Sequence, residues 1–211
     1  MIRILIADDH PVVRKGLREI VEETRDIVVA DEAGNGQEVL DKVRRGNFDV
    51  VLLDISLPGQ SGLDILKQLK SEKVKLPVLM LSIYPEEQYA VRTLKAGAAG
   101  YLTKTSSPDE LTGAIRKVAK GRKYVSPELS EKLALELETS REKLLHETLS
   151  DREYQVMRMI ASGKTVTDIA REISLSVKTI STYRARILEK MRIRNNAEIT
   201  RYAMENRLIH C

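Results

Sequence analysis

Four apolar residues, Val50-Val51-Leu52-Leu53, are followed directly by a single acid, Asp54. A run this short, without alternation of apolar and polar residues, is typical of a strand that is buried on both faces. Apolar residues with helical spacing follow it. Four similar runs occur within the first 123 residues: Ile2–Ala7, Ile27–Ala33, Val78–Ser82 and Gly100–Thr103. The pattern therefore predicts an α/β fold in which five parallel strands alternate with helices that cover both faces of the sheet.

The carboxyl ends of these predicted strands carry polar side chains. Asp8 and Asp9 follow the first strand, Asp54 ends the third, Ser82 ends the fourth and Lys104 follows the fifth. These ends meet at one edge of a parallel sheet. Clustered carboxylates raise one another's pKa, and Mg²⁺ relieves that repulsion while binding carboxylates, water and phosphoryl oxygens. The set therefore resembles a site for a metal and a phosphoryl group, with Asp54 as the best candidate nucleophile and Lys104 as a second cation.

An alternative is that the aspartates are helix caps and turn formers, as most aspartates at strand ends are. For any one aspartate this alternative is the better interpretation. Polar residues at several strand ends together favour the phosphoryl site. His10 is interpreted as a polar residue that caps the first helix.

The motifs around these residues resemble those of the receiver domain of two-component response regulators. They are Ile6-Ala7-Asp8-Asp9-His10, Leu52-Leu53-Asp54-Ile55-Ser56-Leu57-Pro58-Gly59, Gly62, Leu81-Ser82 and Gly97-Ala98-Ala99-Gly100-Tyr101-Leu102-Thr103-Lys104. The resemblance covers more than a hundred residues, with the motifs in the family's order. It implies a flavodoxin-like, doubly wound parallel sheet.

The resemblance also implies a role for each site residue. Asp54 would accept phosphate from a sensor histidine kinase. Mg²⁺ would be held by Asp8, Asp9, Asp54 and the backbone carbonyl of Ser56, and Lys104 would pair with the phosphate. Ser82 and Tyr101 would form the switch, in which the hydroxyl moves to the phosphoryl oxygen and the aromatic ring turns inward.

The C-terminal third carries the basic excess of the chain. Residues 149–211 contain 12 basic and 7 acidic residues, whereas residues 1–123 contain 20 and 18. Ser150 and Glu153 form a predicted capping box at the start of a helix. A second helix containing Val166 is followed by a short break and then by a third helix from Val177 to about Met191. This spacing predicts an all-α domain with a helix-turn-helix, and a fourth helix at about 197–206 completes it.

The third helix of this segment is the candidate DNA-binding element. Lysine and arginine there would contact phosphates, and small polar residues would let the helix enter a major groove. A generic helix with these charges would simply be solvated, but the charge excess and the helix-turn-helix spacing favour DNA. The candidate contacts are Lys178, Thr179, Ser181, Thr182, Tyr183, Arg184, Ala185, Arg186 and Lys190.

The C-terminal motifs resemble the LuxR-type DNA-binding domain, a four-helix domain. They are Leu149-Ser150-Asp151-Arg152-Glu153, Ile160-Ala161-Ser162-Gly163-Lys164, Asp168-Ile169-Ala170, Val177-Lys178-Thr179-Ile180-Ser181-Thr182-Tyr183 and Ile187-Leu188-Glu189-Lys190-Met191. The chain departs from the family pattern at Val166-Thr167, where Asn-Lys is frequent, and at Tyr183, where His is frequent. A receiver followed by this domain is the arrangement of the NarL/FixJ type of regulator.

The predicted domains are a receiver at 1–121, a helical connector at 122–148 and the DNA-binding domain at 149–211. The connector is acidic. Ser126 and Pro127 predict its helix start. An apolar stripe of Leu129, Leu133, Leu137 and Leu144 should pack against another part of the protein or against the same helix of a second chain.

Composition restricts the function classes further. A single cysteine, Cys211, excludes an intrachain disulfide and a cysteine-cluster metal site. The first apolar run is too short for a signal peptide, and no run approaches the roughly 18 residues of a membrane span. We therefore expect a cytoplasmic protein.

The expected function is a transcription regulator that is switched by phosphorylation and is not an enzyme. Its expected partners are the kinase, two-fold related half-sites on double-stranded DNA, a second copy of the phosphorylated chain and RNA polymerase. Two rivals stay open. A phosphohydrolase would also use a nucleophilic aspartate and Mg²⁺, but such enzymes of the haloacid-dehalogenase type carry an acid where this chain has Ser56. A regulator with a vestigial acidic site would bind DNA constitutively.

Overall fold

The structure is a computed structural model that describes residues 1–72, 74–127, 129–131 and 144–209, with only the backbone of residues 87 and 88. It divides into two compact units, Met1–Leu135 and Glu136–Cys211. Each unit is described here by itself.

The N-terminal unit has the predicted alternation of strands and helices. The strands are β1 (Ile2–Ala7), β2 (Ile27–Ala33), β3 (Val50–Asp54), β4 (Val78–Ser82) and β5 (Gly100–Thr103), and the helices are α1 (Pro11–Glu22), α2 (Gly36–Arg45), α3 (Gly62–Ser71), α4 (Glu86–Lys95) and α5 (Pro108–Ala119). All strand pairs are parallel. The strands lie in the order β2-β1-β3-β4-β5, which confirms the doubly wound α/β fold.

The central strands are apolar because the sheet is covered on both faces. Every residue of β3 and of β4 is buried. One face packs against α1 and α5, where Val21, Leu111 and Ile115 join the strand side chains in the core. Burial of both faces explains why these strands lack the alternation of a half-exposed sheet.

The strand order also sets where a site can form. The direction of chain winding reverses between β1 and β3, which are neighbours in the sheet although β2 separates them in sequence. In open parallel sheets the crevice at such a reversal, outside the carboxyl ends of the strands, is where ligands bind. Here those ends are followed by Asp8 and Asp9 after β1, and β3 itself ends in Asp54.

The C-terminal unit is helical. A 3₁₀ turn at Leu145–Thr148 precedes α6 (Asp151–Ala161), α7 (Val166–Glu172), α8 (Val177–Met191) and α9 (Asn196–Glu205). Each helix begins at a side chain that accepts a hydrogen bond from the first turn: Ser150, Thr165, Ser176 and Asn195. The predicted capping box is present, since Ser150 and Glu153 bond to one another's backbone. The fourth helix starts at Asn196, one residue before the predicted start.

The connector is described only at its ends. Ser126 Oγ accepts a hydrogen bond from the backbone N–H of Leu129 at 3.1 Å, as its predicted capping role requires. Leu129 is buried and Leu144 is exposed. Leu133 and Leu137, the middle of the predicted stripe, lie outside the described residues. Within the described ranges, none of the helices has both the length and the apolar character that crossing a membrane requires.

Candidate functional site

The acidic residues converge at the carboxyl edge of the sheet. The Asp8 backbone N–H donates to the Ala33 carbonyl at 3.0 Å, which extends the hydrogen bonding between β1 and β2 to the first acid. Asp8 and Asp54 are buried, whereas Asp9 is partly exposed. One carboxylate oxygen each from Asp8, Asp9 and Asp54 and a ring nitrogen of His10 all lie within 4.8 Å of one another. The convergence predicted from strand order is therefore present.

Lys104 bridges the two buried acids. Its Nζ lies 2.9 Å from Asp54 Oδ2, in a hydrogen bond, and 2.6 Å from Asp8 Oδ2, in an ion pair. The Lys104 backbone N–H is fixed by the Ser82 carbonyl at 2.7 Å, so the strand that precedes the lysine aims it across the sheet edge. The ammonium of a residue that follows β5 thus reaches two carboxylates, one at the end of β3 and one after β1.

These contacts shift the pKa of both partners. Burial raises the pKa of Asp54, and the nearby Asp8 charge adds to that rise, while Lys104 and the Ser56 backbone oppose it without cancelling it. Burial by itself would lower the pKa of Lys104, but attraction to Asp54 and Asp8 outweighs burial, and the pKa is raised. The lysine is therefore held charged in a site where one carboxylate is costly to ionise.

The chemistry of this donor set fits a divalent cation. Three carboxylates and one ammonium leave two negative charges at the site. Asp8 Oδ2 and Asp9 Oδ1 are both buried from solvent, and Lys104 Nζ lies 2.6 Å from the first and His10 Nδ1 2.9 Å from the second. One ammonium does not balance the charge of three carboxylates, and an ion such as Mg²⁺ prefers anionic oxygen ligands of this kind.

The loop after β3 turns back sharply beside Asp54. Gly62 N–H donates to the Ile55 carbonyl at 2.9 Å, which closes the loop. A Cβ at Gly62 would lie 2.0 Å from the Asp54 carbonyl oxygen, so a residue without a side chain is required there. Ser56 lies in this loop, two residues after Asp54, and the tight turn keeps its backbone next to the acids.

The predicted switch residues lie on the neighbouring strands β4 and β5, Ser82 at the end of β4 and Tyr101 near the start of β5. Ser82 is buried, and its Oγ accepts a hydrogen bond from Tyr84 N–H at 3.0 Å. Tyr101 OH donates to the Tyr84 carbonyl at 2.7 Å, and the Tyr101 ring is buried. The ring thus already occupies the inward place, and both members of the pair contact the same residue. Their movement on phosphorylation stays a prediction.

Arg14 belongs to this site and was missed from the sequence. Its Nη1 donates to the backbone carbonyl of Asp8 at 2.6 Å, and its Nε donates to Glu32 at 2.9 Å. Arg18 binds the other Glu32 oxygen at 2.6 Å. In the sequence, a basic residue near the start of α1 looks like part of a solvated helix face. Its partner Glu32 lies on β2, so the contact exists only in the folded protein.

The His10 side chain does not cap α1. His10 occupies the N-cap position, but its side chain accepts no hydrogen bond from the first turn of α1, which the structure describes in full. The ring Nδ1 lies instead 2.9 Å from Asp9 Oδ1 and 3.3 Å from Asp8 Oδ1. The capping interpretation is wrong for the side chain, because the backbone turn that is closed by His10 N–H and Asp8 Oδ1 directs the ring to the carboxylates.

The candidate DNA-binding helix, α8, presents a polar face. Its apolar face buries Ile180, Ile187 and Met191. The exposed predicted contacts are Lys178, Ser181, Thr182, Ala185, Arg186 and Lys190, whereas Thr179, Tyr183 and Arg184 are partly buried. Small and hydroxyl side chains surround the exposed cations, which leaves room for the helix to approach a nucleic-acid groove closely.

Two of the predicted DNA contacts also hold the helical unit together. Lys190 Nζ lies 2.6 Å from Glu153, whose side chain is buried. Arg184 Nε donates to Asn196 Oδ1 at 2.7 Å, which joins α8 to the start of α9. Their long side chains therefore have partners inside the unit before any phosphate is present.

Two family models match the chain, one over each unit. The model described as response regulator receiver domain matches residues 4–116. The model described as bacterial regulatory proteins, luxR family, matches residues 147–203.

Relatives match over almost the whole chain. Response regulator UvrY of Escherichia coli K12 is 35% identical over 209 residues, covering 99% of this chain and 96% of its own. Response regulator GacA of Pseudomonas aeruginosa is 34% identical over 210 residues, covering 99% and 98%. RcsB from Salmonella enterica serovar Typhimurium, solved bound to the promoter rprA with phosphomimetic BeF₃⁻, is 25% identical with a TM-score of 0.65 and coverage of 95% and 97%.

Proposed function

This chain is a two-component response regulator with a receiver domain and a LuxR-type DNA-binding domain, and we propose that phosphorylation of Asp54 controls its binding to DNA. The family is one of signalling transcription regulators. We propose boundaries of 1–121 for the receiver, 122–148 for the connector and 149–211 for the DNA-binding domain.

The observation that carries the phosphorylation proposal is the bridge from Lys104 to Asp54 and Asp8. A phosphoryl group on Asp54 would place new negative charge where the lysine ammonium already lies. Asp8, Asp9, Asp54 and the Ser56 carbonyl would hold Mg²⁺, which would neutralise charge on the phosphoryl group during transfer. The chain itself positions the Asp54 oxygen, excludes water from the buried side and keeps Lys104 charged.

The phosphodonor is proposed to be a sensor histidine kinase. A phosphorylated histidine must reach Asp54 from the open side of the site, so the kinase must cover the residues that surround it. Two exposed apolar side chains lie there: Val12 in the first turn of α1 and Ile83 directly after β4. Apolar side chains exposed in this position suit a docking surface.

DNA binding is proposed for the polar face of α8. Lys178 and Arg186 are exposed on it, and Ser181 and Thr182 donate their hydroxyl hydrogens to the helix backbone at 2.9 and 3.0 Å. That leaves their oxygens outward as acceptors. We propose that two copies of the chain, paired after phosphorylation, bind two-fold related half-sites and act on RNA polymerase. A bacterial regulator that binds chromosomal DNA works in the cytoplasm, and we propose that location.

Phosphorylation is tested with acetyl phosphate and Mg²⁺. Wild-type protein should gain one phosphoryl group by intact-mass spectrometry, and chelation of Mg²⁺ should prevent it. The Asp54→Ala variant should gain none, whereas the Asp64→Ala variant, which removes an acid from α3, should be labelled like the wild type. Labelling of Asp54→Ala to the wild-type level would overturn the assignment.

Control of DNA binding is tested by comparing affinities with and without BeF₃⁻. A random duplex library is first selected on the full chain to obtain a binding site, and affinity for that duplex is then measured. We expect BeF₃⁻ to tighten binding by the wild type and not by Asp54→Ala. Equal affinities would favour a constitutive regulator, and steady hydrolysis of p-nitrophenyl phosphate would favour the phosphohydrolase.

A further inference from the structure

His10 lies at the acidic site but has no task in the phosphorylation chemistry. Its side chain is 66% exposed, so the ring is open to solvent on one side and faces the acids on the other. The His10 backbone N–H donates to Asp8 Oδ1 at 2.9 Å, which turns the chain back towards the acid. That turn directs the imidazole to the carboxylates of Asp8 and Asp9.

We propose that His10 Nδ1 is a ligand of the divalent cation at this site and makes the site select Mn²⁺ or Co²⁺ over Mg²⁺. The inference rests on the proposed function, because the ion is the one that serves Asp54. Four candidate ligand groups, three carboxylates and one imidazole, lie within 4.8 Å of one another.

The preference follows from the ligand types. Mg²⁺ binds oxygen ligands and keeps several waters, so an imidazole adds little to its binding. Affinity of a mixed nitrogen and oxygen site rises along the first-row divalent metals from Mn²⁺ to Co²⁺ and beyond. The two negative charges left by Asp8, Asp9, Asp54 and Lys104 are balanced by a divalent ion when His10 is neutral, which is the form that binds metal.

The competing explanation is that protonated His10 takes the place of a metal. A 2.9 Å contact between Nδ1 and Asp9 Oδ1 is compatible with an ion pair as well as with two ligands of one ion. The two explanations differ in sign. Removing a ligand weakens metal binding, whereas removing a competing cation strengthens it for every divalent metal.

The test uses the full chain, with Mn²⁺ and Mg²⁺ as probes. Affinities are measured by the electron paramagnetic resonance of free Mn²⁺ and by calorimetry for Mg²⁺, and electron spin echo modulation of bound Mn²⁺ detects a directly bound ¹⁴N. The variant is His10→Gln. His146→Gln and His210→Gln are matched controls; His146 lies in the helical unit, with Nδ1 3.0 Å from Tyr202 OH, and His210 lies outside the described residues.

We expect ¹⁴N modulation in the wild type and both controls and its loss in His10→Gln. Mn²⁺ affinity should fall about 10-fold or more in that variant, in the range typical of a disturbed ligand shell, and Mg²⁺ affinity should change less. Absence of ¹⁴N modulation in the wild type, or unchanged or stronger Mn²⁺ binding in His10→Gln, would overturn the inference. Either result leaves the proposed function standing if Mg²⁺-dependent labelling of Asp54 persists, whereas failure of any metal to bind would overturn both.

Discussion

Replacement of Lys104 by Gln should cost the receiver about 3 kcal/mol of stability at pH 7. The side chains of Asp8 and Asp54 are 0% and 2% exposed, and both lose the ammonium that lies 2.6 and 2.9 Å away. Removing one partner of a buried ion pair typically costs about 3–5 kcal/mol. Because 12% of the Lys104 side chain is exposed, water can partly replace it, so we expect the lower end of that range.

The cost should depend on pH in a direction set by Asp54. Its pKa in the folded protein is already raised by burial, and loss of Lys104 raises it further. An acid whose pKa is raised by folding destabilises the native state above that pKa, and the penalty disappears as the pH falls towards the unfolded value of about 3.9. The Lys104→Gln variant should therefore lose less stability at pH 5 than at pH 7, by up to about 1.4 kcal/mol for each unit of raised pKa crossed.

Hydrogen exchange of the β3 amides measures this cost locally, since a chain of two units does not give one global unfolding transition. The control is Lys42→Gln, which removes a 2.8 Å ion pair with Asp31 that is 32% and 43% exposed and should cost about 0–1 kcal/mol. Mg²⁺ at 100 times its Kd should raise the stability of the Lys104→Gln variant by about 2.7 kcal/mol, if the ion binds only the folded protein. A Lys104→Gln cost no larger than that of Lys42→Gln, or one that grows as the pH falls, would refute the reasoning.

Three further predictions concern other contacts. Lys178→Ala should reduce the magnitude of the slope of log affinity against log salt concentration by about 1, and a slope equal to that of the wild type would contradict this. Lys190 is already paired with Glu153 inside its own domain, so Lys190→Ala should mainly destabilise that domain. Arg14→Gln should weaken Mg²⁺ binding measured by calorimetry, because the Asp8 backbone carbonyl loses the hydrogen bond from Arg14 that positions this acid. Unchanged affinity would show that Arg14 does not support the metal site. Tyr101→Phe should cost about 1 kcal/mol by hydrogen exchange of β5, and a neutral result would mean that the hydroxyl contact adds nothing to stability.

Local chemistry explains why the elements follow from the sequence. Four strands begin and end at the predicted residues, and β3 runs one residue past its predicted end, to Asp54. Uninterrupted apolar runs have one stable place, the centre of a sheet covered on both faces. Ser150 marks the start of α6 because its hydroxyl satisfies a backbone N–H three residues later. The place of Asp54 among the acids at the sheet edge was predictable, since parallel strands end at one edge whatever the details of packing.

Contacts between distant segments are different in kind. Glu32 binds Arg14 at a sequence separation of 18 residues, and Glu153 binds Lys190 at a separation of 37. The local sequence pattern around these residues does not indicate which partner each one binds. His10 shows the limit most clearly. Its N-cap position is local and was predictable, but the direction of its ring is not.

The sequence by itself therefore determined the order of the elements, the two domain types and the set of acids at the sheet edge. The tertiary structure alone decided which side chain faces which partner: Lys104 on Asp8 and Asp54, Arg14 on the backbone carbonyl of Asp8, and His10 on Asp9. The physical reason is that backbone periodicity and caps act over a few residues. Ion pairs depend on distances of a few ångströms that exist only once the sheet and its helices have packed.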